Sequence, residues 1–328
     1  MRPQLALIAI AALAAAPGAL AAQNAVVREW PVPWERSRPR DPFVDGQGRV
    51  WFVGQVGNYV AHLDPASGQF RRFELEEGAL PHNLVVGPDG AVWYAGNGNG
   101  HIGRMDPATG QVRRFPMPDS TVRDPHTLVF GADGGLWFTV QGGNVVGQLN
   151  PANGQVRVVR MPERGSRPYG IVLDARGRPW FNLFGTNQLG TIDPATMQLS
   201  LVSLPRDVAR SRRIDITPDG KLWYVDYAGG MLGRYDPATR QFKEWALPGG
   251  ASARPYAMAV DDRARVWFVE TGARPNRLIG FDPGTERFFS TTEIPSGGGA
   301  VRHMYFHKPT RQIWFGTDAN TVGRATLP

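Results

Sequence analysis

Leu80–Pro118 reads LPHNLVVGPDGAVWYAGNGNGHIGRMDPATGQVRRFPMP, and this stretch contains one complete repeating unit of the chain. The alternation in LVV and VWY predicts strands. PDG at Pro88–Gly90 predicts a hairpin turn between these two strands, and DPATG from Asp106 predicts a second turn whose proline fixes φ. QVRRFPMP, from Gln111, forms the last strand and its exit. The unit is therefore predicted to be a four-stranded meander.

A tryptophan followed by a second aromatic residue marks each copy of this unit. Consecutive tryptophans lie 42 to 47 residues apart. The seven tryptophans are Trp51, Trp93, Trp137, Trp180, Trp223, Trp267 and Trp314. Repeats of about 40–50 residues that each form four short strands are typical of propeller blades. The sequence thus predicts an all-β fold, a seven-bladed β-propeller of four-stranded blades.

The two ends of the chain complement each other. The last repeat stops at Pro328 after TVGRATLP, before an outermost strand of its own, whereas VVREWPVP from Val26 belongs to no repeat. We predict that the N-terminal strand completes the seventh blade, because this pairing closes the ring and removes two exposed sheet edges. Residues 26–328 then form a single propeller domain.

The N-terminal segment predicts export. Arg2, the apolar run LALIAIAALAAA from Leu5, and PGALAA before Gln23 fit a signal peptide over residues 1–22. An uncleaved anchor is the alternative, but the run is short for a membrane span. The mature protein is expected to be periplasmic or secreted. The chain has no cysteine, which excludes thiolate catalysis and disulfides, so ring closure must hold the fold.

The charge balance favours a small ligand over nucleic acid. The formal net charge is +7, and the arginines are scattered through turns and outer strands. No run interleaves aromatic and basic residues as nucleic-acid binders do. We expect a monomer without nucleic-acid or membrane-spanning partners, whose ligand is a small or peptide-like molecule that is anionic or contains an ester.

The starts of the first strands carry polar residues that vary between blades. Aligning them predicts one ring of side chains at the channel mouth: Phe43, His82, His126, Tyr169, Arg213, Tyr256 and His303. Plugging of the channel is the alternative role. Arginines recur just before the ring: Arg40, Arg123, Arg167, Arg212, Arg254 and Arg302. Their positive potential favours an anionic or carbonyl-rich ligand. Substrate binding is predicted for His82, His126, Tyr169, Arg213, Arg254 and Arg302.

Residues just past the Trp–aromatic pairs are expected to return to the same mouth. They are Gln55, Asn97, Gln141, Asn182, Asp226, Glu270 and Asp318. The three carboxylates, all in the last three blades, are predicted either to orient His303 or to bind a divalent cation through oxygen. Pairing of these carboxylates with the arginines of the rim is the alternative.

Two stretches resemble a known family. RPYGIVLDARGRPWF from Arg167 and GRMDPATGQVRRFPMP from Gly103 are similar to the blades of the streptogramin B lyase (virginiamycin B lyase) family, which carry Pro-His/Tyr-Gly-Ile, Trp-Phe and Ile-Gly-Arg strands. The resemblance covers all seven repeats. It implies a magnesium-dependent carbon–oxygen lyase that opens a cyclic depsipeptide by elimination, after a proton is removed from the α-carbon beside the ester.

The family's functional positions are only partly present. The family has a His at the start of the sixth blade, a Glu and a His at the start of the seventh, and a Glu after the seventh Trp-Phe pair. Here His303 matches the seventh-blade His, and Asp318 replaces the last Glu with a side chain shorter by one methylene. Tyr256 and Val301 stand at the other two positions. The resemblance thus implies His303 as general base, with Asp318 or Glu270 as its orienting group. Tyr256 would donate a hydrogen bond to the leaving oxygen.

Three functions remain open from the sequence. The first is a lyase-like enzyme acting on an ester or uronate-like substrate. The second is a lactonase-type hydrolase in which a cation activates water, with Asn83, Asn182, Asp215 and Glu270 as conceivable ligands. The third is a noncatalytic periplasmic binding or scaffold propeller. The spacing of these residues defines no metal-ligand pattern, so the ligands of the implied magnesium stay unknown.

Overall fold

The fold is a ring of seven four-stranded antiparallel sheets. The computed structural model describes residues 24–328; the predicted signal peptide, residues 1–22, lies outside them. Within the described range, no helix is long and apolar enough to cross a membrane. The innermost strands of neighbouring blades pack against each other around the ring. The all-β, seven-bladed propeller predicted from the repeats is confirmed.

The first four blades follow the chain order from inside to outside. Blade 1 contains β2 (Pro39–Val44), β3 (Val50–Gly54), β4 (Tyr59–Leu63) and β5 (Phe70–Glu74). Blade 2 contains β6 (Pro81–Val86), β7 (Val92–Gly96), β8 (His101–Met105) and β9 (Val112–Pro116). Blade 3 contains β10 (Pro125–Phe130), β11 (Leu136–Val140), β12 (Val145–Leu149) and β13 (Val156–Arg160). Blade 4 contains β14 (Pro168–Leu173), β15 (Pro179–Leu183), β16 (Gln188–Ile192) and β17 (Leu199–Ser203).

The last three blades include the closure. Blade 5 contains β18 (Ser211–Ile216), β19 (Leu222–Asp226), β20 (Met231–Asp236) and β21 (Gln241–Ala246). Blade 6 contains β22 (Pro255–Val260), β23 (Val266–Glu270), β24 (Arg277–Asp282) and β25 (Arg287–Glu293). Blade 7 contains β26 (Val301–His307), β27 (Gln312–Thr317), β28 (Thr321–Thr326) and β1 (Val26–Pro31). Two short 3-10 helices are Gly250–Ala253 and Lys308–Thr310.

The N-terminal strand closes the ring, as predicted. β1 pairs antiparallel with β28 from Val26 opposite Thr326 to Pro31 opposite Thr321. Trp30 of β1 stacks on Trp314 of β27 with ring centroids 5.6 Å apart. The first and last parts of the chain therefore share one sheet, and the seventh blade has the same four strands as the others.

A repeated Asp–Arg–Trp contact fixes the turn between the first two strands of three blades. Asp45 Oδ2 accepts hydrogen bonds from Trp51 Nε1 at 2.8 Å and from Arg49 Nε at 2.7 Å. The same spacing, Arg at +4 and Trp at +6, recurs from Asp174 and Asp261. Burial alone would raise the pKa of Asp45, but these hydrogen bonds lower it. Each tryptophan is thus buried with its indole N–H satisfied.

The glycine of the third strand makes room for the aromatic residue that follows the tryptophan. A Cβ on Gly103 would lie 2.2 Å from the ring of Tyr94, which is closer than any real contact. Gly147, with Phe138, is crowded in the same way. This close approach explains why the Trp–aromatic pair and the Ile-Gly-Arg strand occur together in the repeat.

A β-bulge in every first strand aims side chains into the channel. In blade 2 the register with β7 shifts between Pro81 and Leu84, which leaves His82 and Asn83 out of regular pairing. Corresponding shifts occur in the other six first strands; in blade 1 the shift falls one residue later, and Arg40 still pairs with Val53. Because bulges redirect side chains, each blade presents two consecutive residues at the start of the channel.

Truncation of Trp30 tests the closure. We expect Trp30→Ala to lower the free energy of unfolding by about 3–5 kcal/mol, as for other buried tryptophans, because its ring is 6% exposed and joins β1 to β27. Urea denaturation followed by intrinsic fluorescence measures the change. Val26→Ala on the same strand is the control, since Val26 is 70% exposed and should change stability by less than about 0.5 kcal/mol. Equal stability of both variants would mean that β1 does not hold the ring.

Candidate functional site

The bulged residues form two levels of side chains across the channel. The strand registers place Arg40, His82, His126, Tyr169, Arg212, Tyr256 and Arg302 at the upper level. Asp41, Asn83, Thr127, Gly170, Arg213, Ala257 and His303 follow at the lower level. The predicted single ring mixed the two levels. The prediction that Phe43 belongs to the ring was wrong, because Phe43 pairs with Trp51 beyond the bulge. Its ring stacks on that of Tyr305 with centroids 4.2 Å apart, and Arg40 occupies the ring position of blade 1.

The upper level packs into a plug. The rings of His82 and His126 lie 3.6 Å apart between centroids, and His126 lies 4.1 Å from Tyr169. The hydroxyl groups of Tyr169 and Tyr256 are hydrogen-bonded. Burial is the main cause that lowers the pKa of His82 and of His126, so both stay neutral. Contact of these two histidines and Tyr169 with substrate stays a prediction, since none of the three lines the open pocket at the upper mouth. Tyr256, which is equally buried, does line it.

Arg213 crosses the channel at the lower level and bonds to residues of other blades. Its Nε donates to the Arg302 carbonyl oxygen at 2.9 Å, and its Nη1 donates to Thr127 Oγ1 at 3.2 Å. Its Nη2 lies 3.5 Å from Asp41 Oδ2. Burial would raise the pKa of Asp41, but the positive charges of His303, Arg40 and Arg213 hold it below its usual range. Arg213, predicted to bind substrate, thus connects its own blade to three others inside the channel.

His303 faces the opposite end of the channel from the upper level. It lines a cavity of about 350 Å³ together with Arg213 and residues from the later parts of the first strands. Burial lowers the pKa of His303 to about 4, with Asp41 opposing the shift and Arg213 adding to it. Its Nδ1 is buried without a hydrogen-bond partner among residues 24–328. A base in this place does not reach the upper mouth.

The three carboxylates predicted to serve His303 bind arginines instead. Asp318 forms an ion pair with Arg302. Glu270 accepts hydrogen bonds from Arg277 Nη2 at 2.6 Å and from the Gly249 amide at 2.8 Å. The third, Asp226, is fully buried and pairs with an arginine of the preceding loop, Arg206. The structure therefore does not bring His303 together with Asp318 or Glu270.

The described residues do not fit a magnesium site. Residues 24–328 contain no group of three or more histidine or carboxylate side chains close enough to hold a metal ion. Asp226, Glu270 and Asp318, which would be the oxygen ligands, already neutralise guanidinium groups. Hard cations prefer several free oxygen ligands. Magnesium stays a prediction of the family resemblance alone.

The upper mouth is an open pocket of about 920 Å³ with a strongly basic lining. Five guanidinium groups line it: those of Arg210, Arg212, Arg254, Arg274 and Arg302. Among the residues that the structure describes, no carboxylate lines this pocket. Phe184, Tyr227 and Tyr256 add aromatic faces. Such a cavity attracts anions, because low-dielectric walls strengthen the field of its charges.

Tyr256 lies in this pocket, directly beside two of the guanidinium groups. Arg212 Nη1 donates to the Tyr256 hydroxyl at 3.1 Å, and the Arg302 Cζ lies 5.7 Å from the ring centroid. Burial alone would raise the pKa of Tyr256, but Arg40, Arg212, Arg213 and the hydrogen bond with Tyr169 lower it to about 8. Burial raises the pKa of Tyr169 to about 12. A phenolate at Tyr256 accepts a hydrogen bond from the Tyr169 hydroxyl.

Arg212 is held rigidly in the same pocket. Its guanidinium lies 4.3 Å from the ring centroids of both Phe184 and Tyr227, and 4.7 Å from that of Tyr256. Its Nε is buried without a hydrogen-bond partner in residues 24–328. Arg302 is fixed separately by Asp318. Two oriented donors therefore flank the Tyr256 hydroxyl.

The sequence prediction differs from several of these residues by one or two positions. Phe184, Tyr227 and Thr271 directly follow the second strands of blades 4, 5 and 6. The residues predicted from the sequence, Asn182, Asp226 and Glu270, lie within those strands. Alignment on the strand ends, rather than on residue type, would have found the three lining residues. Arg210 and Arg274 lie in loops of unequal length, and no repeat signal marks them.

The comparisons with known proteins agree on one family. The sequence model of the Virginiamycin B lyase family matches residues 27–325. A streptogramin B lyase structure is 26% identical, with a TM-score of 0.84 over 94% of this chain and 100% of that chain. A catalytically inactive virginiamycin B lyase from Staphylococcus aureus, solved with quinupristin, is 24% identical, with a TM-score of 0.82 over 93% and 100% of the two chains. That last likeness shows the fold alone. A search of the curated proteins gave no match. The family match spans all seven blades, and the chain therefore belongs to the virginiamycin B lyase family.

Proposed function

We propose that this protein is a carbon–oxygen lyase-like enzyme that cleaves an anionic, carbonyl-containing substrate by elimination in the upper mouth pocket. The observation that carries the proposal is the placement of the Tyr256 hydroxyl between oriented guanidinium groups of that pocket. Export, predicted from residues 1–22, belongs to the same proposal. The lyase chemistry of the family supports the reaction class.

The arginines supply the electrostatic part of the reaction. Removing a proton from the carbon beside a carboxylate or ester builds negative charge on the adjacent oxygens. Fixed donors aimed at developing charge stabilise such a transition state more than the ground state. Arg212 and Arg302 are fixed in this way by aromatic stacking and by Asp318. They are suited to hold the carbonyl or carboxylate of the substrate.

Tyr256 supplies the proton transfer. Its lowered pKa gives a minor phenolate fraction at pH 7 that rises towards pH 8, and a base whose pKa lies near the working pH is the most effective. The phenolate accepts the proton from carbon, the carbon–oxygen bond breaks, and the new phenol returns the proton to the leaving oxygen. Tyr169 keeps the phenolate oriented through their shared hydrogen bond. No water enters the products.

This scheme differs from the family's chemistry in its basic group, because a tyrosine stands where the family has a histidine. The family resemblance puts a His where Tyr256 begins the sixth blade, and His303 faces the other cavity here. The basic group at the mouth is thus a phenol activated by arginines, not an imidazole. Another candidate function, a noncatalytic binding protein, would use the same pocket without turnover.

Removal of the Tyr256 hydroxyl tests this scheme. We expect Tyr256→Phe to reduce turnover by about 10²–10⁴, the range typical of a lost acid–base group, because the ring stays in place while the proton acceptor is lost. The substrates are a streptogramin B depsipeptide, lactones and uronate esters, followed by liquid chromatography with mass detection. Elimination gives a single product of unchanged mass from a cyclic substrate, or two products whose masses sum to that of a linear one, and a gain of water indicates hydrolysis.

The matched control is Tyr235→Phe. Tyr235 belongs to β20, is buried, and lines a side groove that is separate from the mouth pocket. Its hydroxyl should therefore not affect turnover. If Tyr256→Phe turns over as fast as the wild type, Tyr256 is not the proton-transfer group. If hydrolysis products form, the lactonase-type alternative replaces the lyase. If no substrate reacts with the wild type, the binding-protein alternative leads.

The metal requirement is a separate prediction. Since Asp226, Glu270 and Asp318 are occupied by arginines, we expect turnover to survive dialysis against EDTA and to be unchanged when magnesium is restored. The same assay measures initial rates before and after chelation. Loss of turnover with EDTA and its recovery with magnesium alone would contradict the metal-free scheme and favour the requirement that the family resemblance implies.

A further inference from the structure

The mouth pocket carries more positive charge than one carboxylate neutralises. Of its five arginines, only Arg302 has a carboxylate partner within residues 24–328. Arg210, Arg212, Arg254 and Arg274 form no ion pair with a described residue. Like charges that share one cavity repel each other, and a bound anion relieves that repulsion. A ligand with several anionic groups matches these four unpaired guanidinium groups better than a monoanion does.

The arginines stand in two tiers. Arg212 and Arg302 are half-buried and flank Tyr256. Arg210, Arg254 and Arg274 are exposed around the same opening. The inner tier can hold the reacting unit, while the outer tier reaches neighbouring units of the same ligand. This arrangement favours an extended ligand that carries one anionic group in each unit.

The inner tier also has the shape that a carboxylate needs. All five cations of the pocket are arginines, whose planar guanidinium groups bind carboxylates side by side. The buried Nε of Arg212 still lacks an acceptor among the described residues. Phe184 and Tyr227 stack on that guanidinium and hold it in place for a carboxylate.

We propose that the substrate is an acidic oligosaccharide built of linked uronate units. This inference rests on the proposed function, because each uronate unit carries the three groups that the elimination requires. The carboxylate binds the inner arginines and acidifies the neighbouring C–H. The glycosidic oxygen on the next carbon is the leaving group.

The reaction on such a substrate balances without a further reactant. Tyr256 takes the proton from the carbon that bears the carboxylate. The C–H electron pair becomes a carbon–carbon double bond as the bond to the glycosidic oxygen breaks. That oxygen receives the proton from Tyr256 and becomes the hydroxyl of the released fragment. The two products together have the composition of the substrate, and one carries an unsaturated uronate end.

Binding of galacturonate oligomers tests the ligand class apart from the chemistry. Isothermal titration uses the Tyr256→Phe protein, which keeps all five arginines but should not turn over. We expect tetragalacturonate to bind at least about tenfold more tightly than galacturonate, a difference of about 1.4 kcal/mol, because only the tetramer reaches both tiers. Maltotetraose, which is neutral, and inorganic phosphate serve as comparison ligands and should bind weakly.

A charge-matched pair of variants locates the effect. Arg210→Ala and Arg274→Ala are introduced together into the Tyr256→Phe protein. They should remove most of the difference in affinity between tetragalacturonate and galacturonate, and leave the affinity for galacturonate nearly unchanged. The control adds Arg176→Ala and Arg287→Ala, which remove two exposed arginines that do not line the mouth pocket. This control should bind the tetramer as the parent does. Equal losses in both pairs would mean general electrostatic attraction and would overturn the two-tier site.

The remaining outcomes separate the two proposals. Equal affinity for monomer and tetramer, or tighter binding of phosphate, overturns the oligosaccharide inference even if the enzyme cleaves an ester. Tight tetramer binding to Tyr256→Phe, without unsaturated product from the wild type, supports the ligand class and overturns the lyase proposal. Ultraviolet absorbance of the unsaturated uronate, together with product masses, reports that second result.

Discussion

Pairing of Val26–Pro31 with Thr321–Thr326 is the constraint on which the rest of the molecule depends. A ring of blades keeps its channel only while it is closed, because each innermost strand is held by its two neighbours. The chain has no disulfide to replace that contact. Closure sets the seven first strands around one axis, and their bulges then aim side chains at a common point. The site is thus a consequence of ring geometry and not of any single blade.

The channel interior uses charge in two different ways. At the lower level, Asp41 and Arg213 neutralise each other across blades, with Asn83 and Thr127 completing the hydrogen bonds. Buried charges persist only when paired in this manner. At the upper mouth, four guanidinium groups have no carboxylate partner among residues 24–328. Against the effect of burial, the charges of Arg40, Arg212 and Arg213 lower the pKa of Tyr256. The unpaired guanidinium groups of the mouth favour the binding of an anion there.

The repeat pattern predicted the blades, the turns and the closure, because tryptophans, turn prolines and strand alternation report local structure directly. The site was predicted only in part. Tyr256, Arg254 and Arg302 do line one pocket, but the bulge moves Arg213 and His303 to the level below. A one-residue shift of this kind leaves no mark in the sequence of one chain. Arg210 and Arg274 were not predicted as pocket residues, because they lie in loops whose length and sequence do not follow the repeat. The ion pair of Asp318 with the rim arginine Arg302 is the alternative that the sequence left open. Glu270 instead pairs with Arg277 on the neighbouring strand, and Asp226 with Arg206 of the preceding loop; the alignment of the ring positions contains neither of these two arginines.

Spectroscopic titration of Tyr256 tests the electrostatic origin of the site most directly. Tyrosine ionisation changes ultraviolet absorbance, so the difference between wild type and Tyr256→Phe isolates a single phenol. Guanidinium groups around Tyr256 should make that phenol ionise with a pKa of about 8, and an Arg212→Met variant should raise the value by removing the donor at 3.1 Å. A Tyr256 that ionises at or above the ordinary tyrosine pKa of about 10, with or without Arg212, would contradict the assignment of the mouth pocket as a site of proton transfer.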